Sequence, residues 1–394
     1  MSKIVFFSLP AHGHVNPTLS LVSQLVKNGH EIMYYCFDAF KDKIEQTGAK
    51  YISCDDYLPI HMFEEATTNL PHILAIPNML MYVTANMQSK CLAEITDFNP
   101  DCIIHDSLAL WGRLYAEKLG ILPISSTTTF IFNKAMSKRI PLPLKYLLAV
   151  IPPTIPSIPK YLKLTKQLSK DFEYGSLMDM IMAKEDEYTI TYTSQLLQSY
   201  LEPNPKTKFV GTMIDTSDIP VEKNNKPKNI YISLGTINNQ NKKFYKNCFE
   251  ALKNYEANIT MSVGKETDIS SLGEIPSNFN VQNFVNQLEV LKTTDIFLTH
   301  GGMNSVNEGL ANGIPLVVFP QQPEQTLVAT QVETFGAGIR LKKSSIKEIL
   351  VCINEIMDNK KYEEKARIIS QEFKDLGGAT SAVQFIEDIL NNNL

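Results

Sequence analysis

The segment Thr299-His300-Gly301-Gly302-Met303-Asn304-Ser305-Val306-Asn307-Glu308-Gly309 constrains the fold most, because it sets a strand end, a glycine turn and a helix start around one histidine. The preceding run, Asp295 to Leu298, is short and mostly apolar, as suits a strand buried in a parallel sheet. Two glycines let the backbone turn tightly and approach a ligand, and the first amides of the helix then point at it. That arrangement holds a phosphate. His300, Asn304 and Ser305 add side-chain donors. Glu308 lies one turn further along the same face, where its carboxylate can accept hydrogen bonds from a sugar diol.

A related pattern opens the chain. Ile4 to Ser8 reads as a strand, a helix runs from Pro17 with Leu21, Val22, Leu25 and Val26 on its apolar face, and Glu31 to Cys36 is the next strand. Gly29 is placed to end the helix, and Pro17 stands where a first turn tolerates it. The result is a βαβ unit. Cys102 to His105, Pro123 to Ser126 and Tyr188 to Thr193 continue as strands, with a helix around Leu108 to Leu119. The proline-rich and polar stretch from Leu201 to Asn229 reads as an interdomain linker. A second alternating series follows through Ile230 to Ser233, Ile259 to Val263, Asp295 to Thr299 and Pro315 to Phe319. The fold class is therefore α/β, with two doubly wound halves. Such pairs bind ligand beyond the carboxyl ends of their strands, where both histidine-bearing turns fall.

In the first turn, Pro10-Ala11-His12-Gly13-His14-Val15-Asn16-Pro17, a histidine facing a ligand can take a proton near neutral pH, as an attacking hydroxyl requires. From the residues alone either His12 or His14 fits, beside a plain loop or capping role. Asp106 follows the strand Cys102 to His105 at the same sheet edge. It either orients such a histidine or caps the next helix. His105 should point to the opposite face and pack.

Composition narrows the classes. A chain of 394 residues is long for one core and comfortable for two domains. A net charge of -5 gives no electrostatic reason to expect nucleic acid. The N-terminus enters a strand directly, without the longer apolar core of a signal peptide, which predicts a cytoplasmic protein. The six cysteines show no CxxC spacing, so neither a zinc site nor a disulfide framework is expected. No DxD triplet or ligand-spaced His and carboxylate cluster appears, so no metal is expected.

The stretch from Phe284 to Gln325, with His300-Gly301-Gly302, Asn304-Ser305, Glu308-Gly309, Gly313-Ile314-Pro315, Pro320 and Glu324-Gln325, resembles the nucleotide-sugar signature of family 1 glycosyltransferases, the bacterial macrolide type in particular. The resemblance extends to the front turn and to Ser233-Leu234-Gly235-Thr236, and so covers nearly the whole chain. It implies the twin-domain GT-B fold, two Rossmann-like domains facing a cleft. The domains would be 1–205 for the acceptor, a linker at 206–228, 229–378 for the donor, and a last helix at 379–394 that crosses back to the first domain. His14 would be the base and Asp106 its dyad partner, while His12 sits at a variable position. Phe284 would stack on the nucleobase, Val285 would belong to the donor site, Gln287 would reach the base or ribose, and Glu308 the ribose hydroxyls. His300, Gly302, Asn304 and Ser305 would hold the diphosphate with Gly235 and Thr236 opposite. Glu324 and Gln325 would contact the sugar.

Three departures stand out: no tryptophan at the base-stacking position, Asn286 for a common proline, and Glu324 for a common aspartate. The resemblance implies a metal-independent, inverting transfer of a hexose from a nucleotide diphosphate sugar, UDP-glucose being the expected donor, to a hydroxyl. No cofactor is implied beyond that co-substrate, and the chain is expected as a monomer or weak dimer.

A nicotinamide enzyme would need a GxGxxG after the first strand, and none is present. An epimerase of this fold would leave the His14 motif without purpose, and a non-catalytic nucleotide-sugar-binding partner would not need His14 and Asp106. The acceptor is expected to be hydrophobic: a macrolide, a flavonoid, or a lipid or polyene at the membrane. Met62, Met79, Met81, Tyr82, Met87, Met136, Tyr146 and Met178 are either an adaptable acceptor surface or ordinary core. The stretch from Ile140 to Leu162 is too interrupted by proline and lysine to span a bilayer. It reads as a buried or partly buried loop, with an acceptor lip or a membrane-touching edge as the alternatives.

Overall fold

The computed structural model describes residues 1–57, 62–63, 73–133, 150–173, 175–176, 179–180, 182–214, 227–236 and 239–391. These form two units. One comprises residues 1–192, 200–213 and 379–394; the other comprises 193–199 and 214–378. Met136, Tyr146, Met178, residues 140–149 and most of the expected linker lie outside the described residues.

The first unit holds seven parallel strands: β1 (Lys3–Phe7), β2 (Glu31–Cys36), β3 (Lys50–Ser53), β4 (Cys102–Asp106), β5 (Leu122–Thr127), β6 (Tyr188–Thr191) and β7 (Thr207–Phe209). Their spatial order is β3-β2-β1-β4-β5-β6-β7, so the winding reverses between β1 and β4. Both faces of β1 are buried, as its unbroken apolar run requires. Phe6 stacks on Tyr34 and Phe7 on Tyr35 across the β1–β2 register, with ring centroids 4.7 and 4.6 Å apart.

Helix α1 (His12–Lys27) packs Val15, Leu21, Val22 and Leu25 into this core. It starts earlier than expected. Pro17 lies in its second turn and His14 in its first, so the helix gives up the bond that residue 17 would have donated to the Gly13 carbonyl. The helix closes in a Schellman motif: Gly29, at φ +90°, donates to the Val26 carbonyl at 2.9 Å and His30 to the Leu25 carbonyl at 3.1 Å. Long helix α2 (Ala75–Phe98), α3 (Leu110–Leu119) and α4 (Ile158–Leu168) cover the sheet. Met79, Met81 and Met87 are buried on α2, so these three are core.

The stretch read as a loop is helical where described: residues 150–154 lead through a 3-10 turn (Ile155–Ser157) into α4. The first unit also extends past the expected boundary at 205. Thr207–Phe209 pairs with β6 as an edge strand, a three-residue segment with no alternation to betray it among the prolines. The helix Gly378–Leu390 puts Ala382, Val383, Phe385, Ile386 and Ile389 into the same core, and its Glu387 meets His30 Nε2 at 3.1 Å and Asn28 Nδ2 at 3.0 Å.

The second unit holds six parallel strands: β8 (Lys228–Ser233), β9 (Ala257–Ser262), β10 (Phe279–Gln282), β11 (Ile296–Thr299), β12 (Leu316–Val318) and β13 (Gly338–Arg340). Their order is β10-β9-β8-β11-β12-β13, which reverses between β8 and β11. Tyr231 stacks on Phe297 across that reversal at 4.8 Å. In both sheets, the strands beside the reversal carry the histidine-bearing turns.

Candidate active site

In the first unit, α1 leaves the end of β1 and presents His14 in its first turn, while Asp106 ends the neighbouring β4. The reversal of strand order opens this point, since the connections from β1 and β4 leave on opposite faces of the sheet. His14 Nδ1 is 2.7 Å from Asp106 Oδ2. The other carboxylate oxygen, Oδ1, accepts the Leu108 amide at 2.9 Å. Asp106 does not cap the next helix, whose N-cap is Ala109; the Leu108 bond closes the turn before it and fixes the carboxylate that orients the ring. With Nδ1–H donated to Asp106, the imidazole lone pair sits on Nε2, the tautomer a base needs. His14 keeps 16% of its side-chain surface accessible and Asp106 keeps 2%, so the carboxylate is sealed and the ring is reachable.

Thr128, just past β5, brings its hydroxyl to 3.1 Å from the same Nδ1. Sequence reasoning missed it. The available signal was the run of five hydroxyl residues, Ser125 to Thr129, at a strand end, most of them buried. His12 is exposed and packs edge-on against Phe40, 5.0 Å between centroids. His105 is buried, its Nδ1 lying 3.0 Å from the Asp106 backbone carbonyl and its Nε2 pairing with the buried Glu187 at 2.6 Å. Burial opposes ionisation of Glu187, but His105, Arg113 and Lys184 hold its carboxyl below the ordinary range.

In the second unit, His300 follows β11 and lies between two glycines. A Cβ on Gly235 would stand 2.5 Å from His300 Cε1, and one on Gly302 would stand 2.5 Å from Nε2. Gly235 also has φ +78° and Gly301 has φ +90°, backbone conformations that favour glycine. Burial pushes the His300 pKa down to about 4, so the ring is neutral at physiological pH and can donate one hydrogen bond without carrying charge. Helix α5 (Met303–Ala311) begins beside it with Gly302 as N-cap, putting Asn304 and Ser305 in the first turn.

One turn on, Glu308 joins a chain of hydrogen bonds. Gln287 Nε2 donates to Glu308 Oε2 at 2.6 Å and to Ser305 Oγ at 3.3 Å, and Tyr231 Oη donates to Gln287 Oε1 at 3.2 Å. Burial raises the Glu308 carboxyl above its ordinary pKa, and the Gln287 bond works against that rise. Tyr231 was not predicted as a site residue. Its ring belongs to the sheet core, and only its hydroxyl reaches the ligand-facing end, which periodicity does not reveal.

The remaining expected residues divide. Phe284 is 67% exposed on the loop after β10, with the preceding Asn283 tied to the Gly264 and Thr267 carbonyls at 2.8 and 2.6 Å. Val285 is partly buried, and Thr236 and Glu324 are exposed. Gln325 is buried, and its amide folds back on its own turn: Oε1 accepts the Gln321 amide at 2.9 Å and Nε2 donates to Gln322 at 3.3 Å. Among the described residues, no three His, Cys, Asp or Glu side chains group closely enough to hold a metal ion.

Residues 246–386 match the family described as the erythromycin biosynthesis protein CIII-like C-terminal domain. The whole chain is 32% identical to the uncharacterized UDP-glucosyltransferase YojK of Bacillus subtilis, over 98% of this chain and 97% of that protein. It is 30% identical to the NDP-glycosyltransferase YjiC of Bacillus licheniformis, over 98% and 97%. Among solved structures, the glycotransferase of kitacinnamycin superposes with a TM-score of 0.83 at 23% identity, covering 99% of both chains.

Proposed function

Since the chain belongs to the macrolide-type nucleotide-sugar glycosyltransferases of GT-B fold, we propose that it transfers a hexose, with UDP-glucose as donor, to a hydroxyl of a hydrophobic natural-product acceptor, inverting the anomeric configuration. The observation that carries this reading is the His14–Asp106 pair at 2.7 Å, sealed on the carboxylate side and reachable on the ring side. His14 Nε2 takes the acceptor proton, the oxygen attacks the anomeric carbon, and the nucleoside diphosphate leaves. Asp106 stabilises the imidazolium that forms.

The second unit supports the donor side. His300 and the first amides of α5 meet the charge that grows on the departing phosphate, each well-placed donor contributing about 3 kcal/mol. Glu308, steadied by Gln287 and Ser305, accepts the ribose hydroxyls. Phe284 offers an exposed ring face to the base. Glu324 is the sugar contact; Gln325, whose amide is engaged within its own turn, shapes that turn. A non-catalytic sugar-binding role would give the oriented His14 nothing to do.

The test is mass spectrometry of flavonoid, macrolide and apolar alcohol acceptors incubated with UDP-glucose and with a thymidine-linked sugar, in EDTA. A gain of one hexose that survives EDTA is the expected result. Absence of product from every pairing, with donor binding confirmed by calorimetry, would remove this acceptor class; loss of product on EDTA alone would remove metal independence.

A further inference from the structure

We propose that residues 150–168 are a docking face for an anionic lipid surface. The helical run has two apolar sides. Leu164 and Leu168 are buried in the core of the first unit, whereas Ile151, Ile155, Ile158 and Leu162 are 48, 60, 40 and 58% exposed. Their spacing of four, three and four residues lines them along one face. Ile73, itself 46% exposed, adjoins this face, its amide donating to Thr154 Oγ1 at 3.1 Å. Exposed aliphatics scattered singly mean little, but a contiguous patch marks a contact surface.

Charge selects the occupant. From Lys134 to Lys170 the sequence carries eight Lys and Arg and no Asp or Glu, in a chain whose net charge is -5. Lys163 and Lys166 are exposed on α4, beside the apolar row. Lys160 is set apart by packing over the Tyr82 ring, 5.9 Å to its centroid. Aliphatic side chains bordered by lysines on one surface helix suit the headgroup boundary of an anionic bilayer: the aliphatics enter the acyl region and the ammonium groups meet phosphate. Among the described residues no helix is long and apolar enough to cross a membrane, so the contact is made from one side.

Flotation of the full-length protein with vesicles of equal parts phosphatidylglycerol and phosphatidylcholine, against pure phosphatidylcholine, tests this. The wild type should float with the anionic vesicles and lose that association in high salt. Ile155→Glu with Leu162→Glu, both on the exposed face, should weaken partitioning at least about tenfold. Lys163→Ala with Lys166→Ala should also weaken it about tenfold. Both variants should keep wild-type melting temperature and transfer to a soluble acceptor. The proposal is overturned if the wild type stays in solution with both vesicles, or if neither pair of substitutions reduces flotation. It is also overturned if the glutamates instead split a wild-type dimer, which would assign the face to a second copy. Flotation by a wild type without transferase activity would leave docking intact and count only against the proposed transfer.

Discussion

His14 and His300 each follow a central strand beside the point where its sheet's winding reverses, His14 after the first strand of its unit and His300 after the fourth, and their surroundings differ. His14 faces a carboxylate at 2.7 Å and a hydroxyl at 3.1 Å on the same nitrogen. His300 has glycines on two sides, and burial holds its pKa near 4. A carboxylate partner stabilises the protonated ring at the moment of reaction, whereas burial between glycines keeps the imidazole neutral. The comparison teaches that the residue type sets the available chemistry and the second partner decides which half is used. A proton acceptor results in one unit, and a donor for a phosphate in the other.

The largest effect should come from removing the carboxylate half of this contrast. Asp106→Asn preserves shape and the Leu108 contact but presents an amide to Nδ1, which no longer favours the working tautomer. We expect kcat to fall by about a hundredfold to a thousandfold, comparable with His14→Ala, while the Kd for UDP stays within about twofold. Steady-state kinetics beside calorimetry reads both numbers. Loss of UDP affinity in either variant would contradict the assignment of the base to the first unit and the donor to the second.

This division was legible unequally. The glycine turns and the central strands could be read because short apolar runs ending in Gly-rich turns have few other solutions, whereas the choice of His14 over His12 and the pairing with Asp106 came from the family resemblance. The edge strands β3, β7, β10 and β13 were not, since three or four residues are too few to show a period. Pro17 read as a helix start, although here it sits a turn inside, and only tertiary packing distinguishes the two. Thr128 and Tyr231 reach the site by a hydroxyl at the end of a strand or ring whose remainder is core. Pattern reasoning assigns such residues wholly to the interior.

Next in size is the glycine slot. Gly302→Ala places a Cβ against His300 Nε2 and must shift the ring, so UDP affinity should drop about tenfold to a hundredfold with little effect on the His14 dyad. The pH behaviour of the two rings sharpens the same point. Free His300 should stay neutral above about pH 5, since its pKa lies near 4. A bound diphosphate favours the imidazolium, so it should raise that pKa, and protons are taken up on binding between the free and bound values. Nitrogen NMR of labelled histidine, with and without UDP, measures both. An unmoved His300 titration would place the diphosphate elsewhere.

The smallest effect tests how far the donor half-site is built from behind. Tyr231 donates to Gln287, which in turn steadies Glu308 and Ser305. Tyr231→Phe keeps the ring stacked on Phe297 and deletes one hydroxyl, so the fold should be unaffected. Gln287 then loses the bond that selects which end of its amide faces Glu308, and a flipped amide would set its carbonyl against that carboxylate. Donor affinity should fall about threefold to tenfold, the scale of one neutral hydrogen bond. The loss should be greater for a ribose donor than for the 2′-deoxyribose thymidine donor, which offers the carboxylate one hydroxyl fewer. Equal losses for the two donors would mean that Tyr231 supports the loop in general and that Glu308 does not read the ribose diol.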